Sequence, residues 1–271
     1  AADQVANQPA ELVFYTTSNG VTEENFMKSY GDQIKKKFPN YTVKYIMQKD
    51  NKTLSELLAT NQTIDIMISS VGLTPAFLLT YKLESDISDL IKKYNYDLSK
   101  LEPTTIEIQK QLANGGIYGL PVSTSSAALF YNKDLFDKFG VPYPKEIITW
   151  DEYLELATRM TRMEDGVQYI GGSPHSVPNL LKQYGVSSAD AGDSKIVLTS
   201  DQHRIIYSFV QKFFEIPGLI QGKTYLPTQI YEGKVAMQTN WVAGIAFDVI
   251  KNKPTFQWDI AAYPVFKERP N

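Results

Sequence analysis

Four consecutive hydroxyl side chains, Ser123, Thr124, Ser125 and Ser126, stand between the apolar segments GIYGLPV and AALFYN. Each hydroxyl both donates and accepts hydrogen bonds, which suits a ligand rich in hydroxyls of its own. Groups that transfer protons or hold metals are scarce. The two histidines, His175 and His203, are far apart in the sequence and lack the i,i+4 spacing of a helical metal site. Cysteine is absent, which removes disulfides, thiolate metal sites and cysteine nucleophiles together. No G-x-S-x-G elbow, P-loop or G-x-G-x-x-G occurs. The sequence therefore assigns no catalytic residue, no metal site and no cofactor, and an enzyme is not expected. Paired carboxylates of a glycosidase meet only in the fold, so a carbohydrate-active enzyme is kept as a lesser alternative.

The elements that position such hydroxyls can be read from periodicity. The short apolar runs LVFY (12–15), TVKYIM (42–47) and IDIMIS (64–69) are bounded by turn residues and separated by segments with helical spacing. This β-α-β-α-β order implies a parallel sheet, whose ligands bind in loops at the carboxyl ends of the strands. The loops so marked are residues 16–20 and 69–72, which make Thr17, Ser18, Asn19, Ser69 and Ser70 candidate ligand contacts. Beyond them, the GIYGLP segment reads as a strand, the hydroxyl run as a crossover, and AALFYN as a new strand. Asn132 is placed to cap the helix KDLFDKF, which Gly140 closes, and Thr149 with Glu152 forms a capping box. A further helix is expected over residues 200–214, with Ile206, Phe209, Val210 and Phe213 on one side.

At 271 residues the chain exceeds the usual size of one compact core, so two lobes are expected. With 27 basic and 30 acidic residues interspersed, it carries no electrostatic footprint for nucleic acid, and none is expected as a partner. Arginine is confined to Arg159, Arg162, Arg204 and Arg269, which leaves few planar forks for a highly anionic ligand. No apolar run approaches the roughly 20 residues that cross a bilayer.

The segment GLP (119–121) through YNKD (131–134), with Phe136, GVP (140–142) and TWDE (149–152), resembles the extracellular solute-binding proteins of bacterial ABC importers. It is most similar to the sugar-binding branch that includes maltose-binding protein. A second block agrees: YEGKVAM (231–237), Asn240 and Trp241, FQWDI (256–260), then Tyr263 and Pro264. The resemblance implies an α/β fold of the type II periplasmic-binding-protein class, with two hinged lobes that are each a mostly parallel sheet flanked by helices. Residues 1–10 would be a flexible lead-in, 11–122 the first lobe, 123–126 the hinge and 127–262 the second lobe. Residues 263–271 would begin a return crossover, and the C-terminal part of the fold is expected to be missing.

What the resemblance implies for function is capture of a carbohydrate, a mono- or oligosaccharide, by hinge closure, and its delivery to a membrane permease. A non-sugar solute such as a polyamine or iron is the alternative. Trp241 takes the family's cleft-aromatic position, where an indole stacks on the C–H face of a sugar. Asn240 beside it, Thr124 and Ser125 at the hinge, and His175 in a second-lobe loop complete the implied ligand set. Trp150 and Trp258 are assigned to packing. A monomer is expected, outside the cytoplasm, as a cell-surface lipoprotein or a periplasmic protein.

Overall fold

A computed structural model describes residues 8–17, 21–49, 53–174, 176–188, 195–221, 224–225, 230–242 and 252–269. The chain divides into two compact units, Ala1–Val122 and Ser123–Asn271, with a three-stranded sheet in each.

In the first unit β1 (Ala10–Thr16), β2 (Tyr41–Met47) and β3 (Ile66–Ile68) form a parallel sheet in the order β2-β1-β3. Val13, Phe14, Tyr15 and Thr16 are all buried, as a central strand covered on both faces requires. Alternate residues serve opposite faces. Phe14 packs with Phe26, which ends α1 (Glu23–Phe26) and stacks on Tyr45 at 4.3 Å. A π-helical turn (Met27–Gly31) continues α1 into α2 (Asp32–Lys37), and Thr22 caps the start by accepting from the Asn25 N–H. On the other face Tyr15 packs with Leu54 and Leu57 of α3 (Leu54–Ala59), which opens with a capping box between Thr53 and Glu56. Two further helices follow, α4 (Ser88–Lys93) and α5 (Pro103–Leu112).

The strand expected to end in GLP does not form. Residues 117–126 have no regular structure, and Ile117 makes one isolated tie instead. Its N–H donates to Asp86 Oδ1 at 3.1 Å and its carbonyl accepts from the Ile87 N–H at 2.8 Å. Pro121 has no N–H to offer a ladder, so the apolar run packs without pairing.

The second unit is built on β4 (Ala127–Asn132). Asn132 Oδ1 accepts from the Leu135 N–H to cap α6 (Lys133–Phe139), and Gly140 ends it in the left-handed region at φ 63°. Thr149 and Glu152 form the expected capping box on α7 (Trp150–Met160). A hairpin of β5 (Arg162–Glu164) and β6 (Val167–Tyr169), then α8 (Val177–Gln183) and α9 (Asp201–Phe214), come next. A short pair, β7 (Ile220–Gln221) and β8 (Thr224–Tyr225), precedes β9 (Met237–Trp241) and β10 (Trp258–Ala262).

The second sheet is not the mostly parallel one expected. Its order is β10-β4-β9, and β4 runs antiparallel to both neighbours. Among the described residues, parallel pairing in this unit is limited to the single bridges Thr149↔Val265 and Ile170↔Val235. Strand–helix alternation predicts direction only for strands that pair consecutively, whereas β4 pairs with strands far downstream.

Trp150, 1% exposed, centres the second core with Tyr153, Phe209 and Tyr263 around its ring. Its indole N–H donates to Gln183 Oε1 at 2.9 Å, and Gln183 Nε2 donates to the Pro264 carbonyl at 2.7 Å. Burial pushes the Tyr263 phenol well above its ordinary value. The packing assignment fails for Trp258. It starts an edge strand, is 40% exposed, and meets Phe130 only at a 6.2 Å ring separation.

Candidate functional site

The parallel register of the first unit decides what meets at its carboxyl end. Thr16 is level with Met47 on one side and Ile68 on the other. One residue further on, Gln48, Thr17 and Ser69 therefore come level, on the face of Tyr15. The Gln48 N–H donates to the Thr16 carbonyl at 3.0 Å and continues the ladder. The hydroxyls of Thr17 and Ser69 hydrogen-bond at 3.0 Å, and Ser69 Oγ also reaches the Ser70 carbonyl at 3.4 Å. Ser69 and Ser70 are exposed and Thr17 is half-buried. Ser70 leads into a 3-10 turn (Val71–Leu73), its carbonyl accepting from the Leu73 N–H. Ser18 and Asn19 lie outside the described residues.

At the start of the second unit, the Ser126 carbonyl accepts from the Val242 N–H at 2.8 Å, and Ala127 is level with Trp241. Thr124 and Ser125, both exposed, thus enter the sheet beside the end of β9. Trp241 is 45% exposed, on the face of Ala127 and Leu129. Asn240, level with Ala128, belongs to the opposite face, and its Oδ1 accepts from the Trp241 N–H at 2.8 Å. The structure thus brings Thr17 together with Ser69 and sets Ala127, two residues after Ser125, level with Trp241, but places Asn240 on the face opposite to that of Trp241. His175 lies outside the described residues.

The sequence reading passed over Gln48. The same rule that marked the loops after β1 and β3 applies to the loop after β2, so the signal was there. Tyr15 is fully buried and its phenol donates to Gln48 Oε1 at 3.3 Å. Burial raises the Tyr15 phenol above its ordinary value, and a hydrogen bond from the Leu54 backbone opposes the rise.

The histidine that is described, His203, serves structure. His203 is buried in α9 with Nδ1 2.6 Å from the hydroxyl of the helix cap Ser200. Among the described residues no three His, Asp or Glu side chains gather to hold a metal, and no helix is long and apolar enough to cross a membrane.

Residues 19–271 match the family of bacterial extracellular solute-binding proteins. The chain belongs to that family. Among individual solute-binding proteins, it is 28% identical over 161 residues to the arabinooligosaccharide-binding protein of Bacillus subtilis. That match covers 56% of this chain and 35% of the Bacillus protein. Among solved structures, it resembles an ABC substrate-binding protein from Listeria monocytogenes in complex with cycloalternan, with a TM-score of 0.73 and 21% identity. It also resembles an ABC solute-binding protein from Agrobacterium radiobacter K84 in complex with ribitol, with a TM-score of 0.72 and 18% identity. These likenesses cover 96% and 97% of this chain but 68% and 69% of the other two. They establish the fold as the mixed α/β, two-lobed solute-binding type.

Proposed function

We propose that this solute-binding protein captures a neutral saccharide for a bacterial ABC importer and hands it to the permease. Each unit would contribute ligand contacts, with residues 123–126 as the hinge. Closure adds contacts from the second unit to those of the first, so ligand shifts the hinge equilibrium toward the closed form. The protein would act as a monomer outside the cytoplasm, lipid-anchored at the cell surface or free in the periplasm.

The observation that carries this reading is the family match over residues 19–271. The candidate surfaces add chemical sense to it. Thr17, Ser69, Ser70, Thr124 and Ser125 offer uncharged groups that pair with sugar hydroxyls, and the half-exposed indole of Trp241 offers a stacking face. The Bacillus relative is named for arabinooligosaccharides, and related structures hold cycloalternan and mannotriose.

A thermal-shift series with arabinotriose, mannotriose, cycloalternan and ribitol tests the proposal. A ligand at about 100 times its dissociation constant adds about 2.7 kcal/mol of stability. For a chain of this size that raises Tm by roughly 5–10 °C. A rise with one saccharide, reduced by Trp241→Ala, is the expected result. No rise with any of them, checked by calorimetry, counts against a saccharide ligand.

A further inference from the structure

Tyr15 and Gln48 form a buried link that the hydroxyl reading leaves unused. The Tyr15 phenol is fully buried, so its single proton needs a partner within the protein. That proton goes to Gln48 Oε1 at 3.3 Å. A carboxamide held by its oxygen has only one remaining orientation for its NH2 group, on the branch away from the phenol. Gln48 is half-buried. It stands level with Thr17 and Ser69 at the carboxyl end of the sheet, on the same face.

We propose that Gln48 is a further ligand-contacting residue that presents its Nε2 as a fixed donor, and that Tyr15 is the positioning residue that fixes it. The assignment rests on the saccharide reading above and deepens it. A row of one oriented amide donor and two hydroxyls, none of them charged, selects a ligand oxygen that accepts a hydrogen bond. Beside the amide donor itself an ammonium group, which has only donors to bring, finds no acceptor.

Calorimetric titration of the chain with arabinotriose, mannotriose and cycloalternan identifies the tightest of the three, which is then used on variants. Gln48→Glu keeps the acceptor for Tyr15 and exchanges the donor for an oxygen. It should weaken binding more than tenfold at neutral pH, and Gln48→Leu about three- to tenfold. Tyr15→Phe keeps the ring and frees the amide. It should weaken binding about two- to fivefold alone and have no further effect in the Gln48→Leu background. Wild-type affinity in Gln48→Glu, or Tyr15→Phe acting equally in both backgrounds, overturns the assignment while the saccharide reading stands. Absence of binding by any of the three saccharides overturns that reading and this assignment with it. Should Tyr15→Phe lower Tm too far to titrate, the two Gln48 variants still decide the contact.

Discussion

The hydroxyls of Thr17 and Ser69 lie 3.0 Å apart although 52 positions separate them in the chain. Parallel pairing of β1 with β3 is the cause, since it sets the two strand ends level. With Thr17 donating, the Ser69 proton rests against the Ser70 carbonyl at 3.4 Å, the outer limit of a hydrogen bond. Under the proposed function, a ligand oxygen that approaches more closely would take that proton at little cost. The pair is held in place without ligand and keeps lone pairs open for one.

Binding should therefore depend on this pair more than folding does. Thr17→Val and Ser69→Ala each remove a hydroxyl whose net hydrogen bonding is worth about 0.5–1.5 kcal/mol. For a saccharide that binds the wild type, calorimetry should show dissociation constants about three- to tenfold higher. Tm should fall by less than about 3 °C, because Ser69 is exposed and Thr17 only half-buried. A large loss of Tm with unchanged affinity would make the pair a structural latch instead.

The two exposed tryptophans should separate in the same assay. Trp241 ends β9 beside the 124–126 segment, and its removal takes away a stacking face worth about 1–2 kcal/mol. Trp241→Ala should weaken saccharide binding by about five- to thirtyfold. Trp258 belongs to the sheet face that carries Phe130, opposite to that of Trp241. Trp258→Ala should leave affinity unchanged and lower stability by about 1 kcal/mol through lost contact with Phe130. Equal losses of affinity in both variants would refute the assignment by sheet face.

These two residues also mark where the sequence stops being legible. Features decided within a few residues were readable: the Thr149–Glu152 box, the Asn132 cap, the Gly140 stop and the apolar side of α9 are local hydrogen bonding and periodicity. Which face Trp241, Asn240 and Trp258 occupy depends on how β9 and β10 pair with β4, and nothing local fixes that pairing. For the same reason the second sheet's antiparallel direction was missed. The GIYGLP segment has strand composition, yet its tie to residues 86–87 is a long-range accident of packing that no periodicity announces. Gln48 is legible by the carboxyl-end rule that marks Thr17 and Ser69, since β2 ends in the same parallel sheet.

Close packing in the second unit gives a stability prediction. A Cβ at Gly171 would overlap the Ala157 carbonyl in α7, and the Gly171 N–H donates to Thr161 Oγ1 at 2.9 Å just beyond that helix. Backbone meets backbone there, so no side chain can move aside. Gly171→Ala should destabilise the fold by about 2–4 kcal/mol through overpacking. Differential scanning calorimetry should show Tm lower by roughly 5–15 °C. A change below about 2 °C would mean that α7 and the 171 segment are further apart than described.

Acid should erase the contribution of the α7 capping box. The Thr149 backbone N–H, then its hydroxyl, hold the Glu152 carboxyl below its usual range, with help from Lys145. A depressed folded value means that the charged form is favoured by folding. The stabilisation is complete above the unfolded value of about 4.3 and is lost as pH falls through the folded one. Glu152 is 45% exposed, so solvent limits the effect, and a cap of this kind contributes about 0.5–1 kcal/mol. Glu152→Gln keeps an acceptor but has no proton to gain in this range. In urea titrations it should be less stable than wild type at pH 7, and the gap should close by about pH 3 as the wild-type carboxyl protonates. A gap of the same size at both pH values would show that the carboxylate charge contributes nothing to the cap.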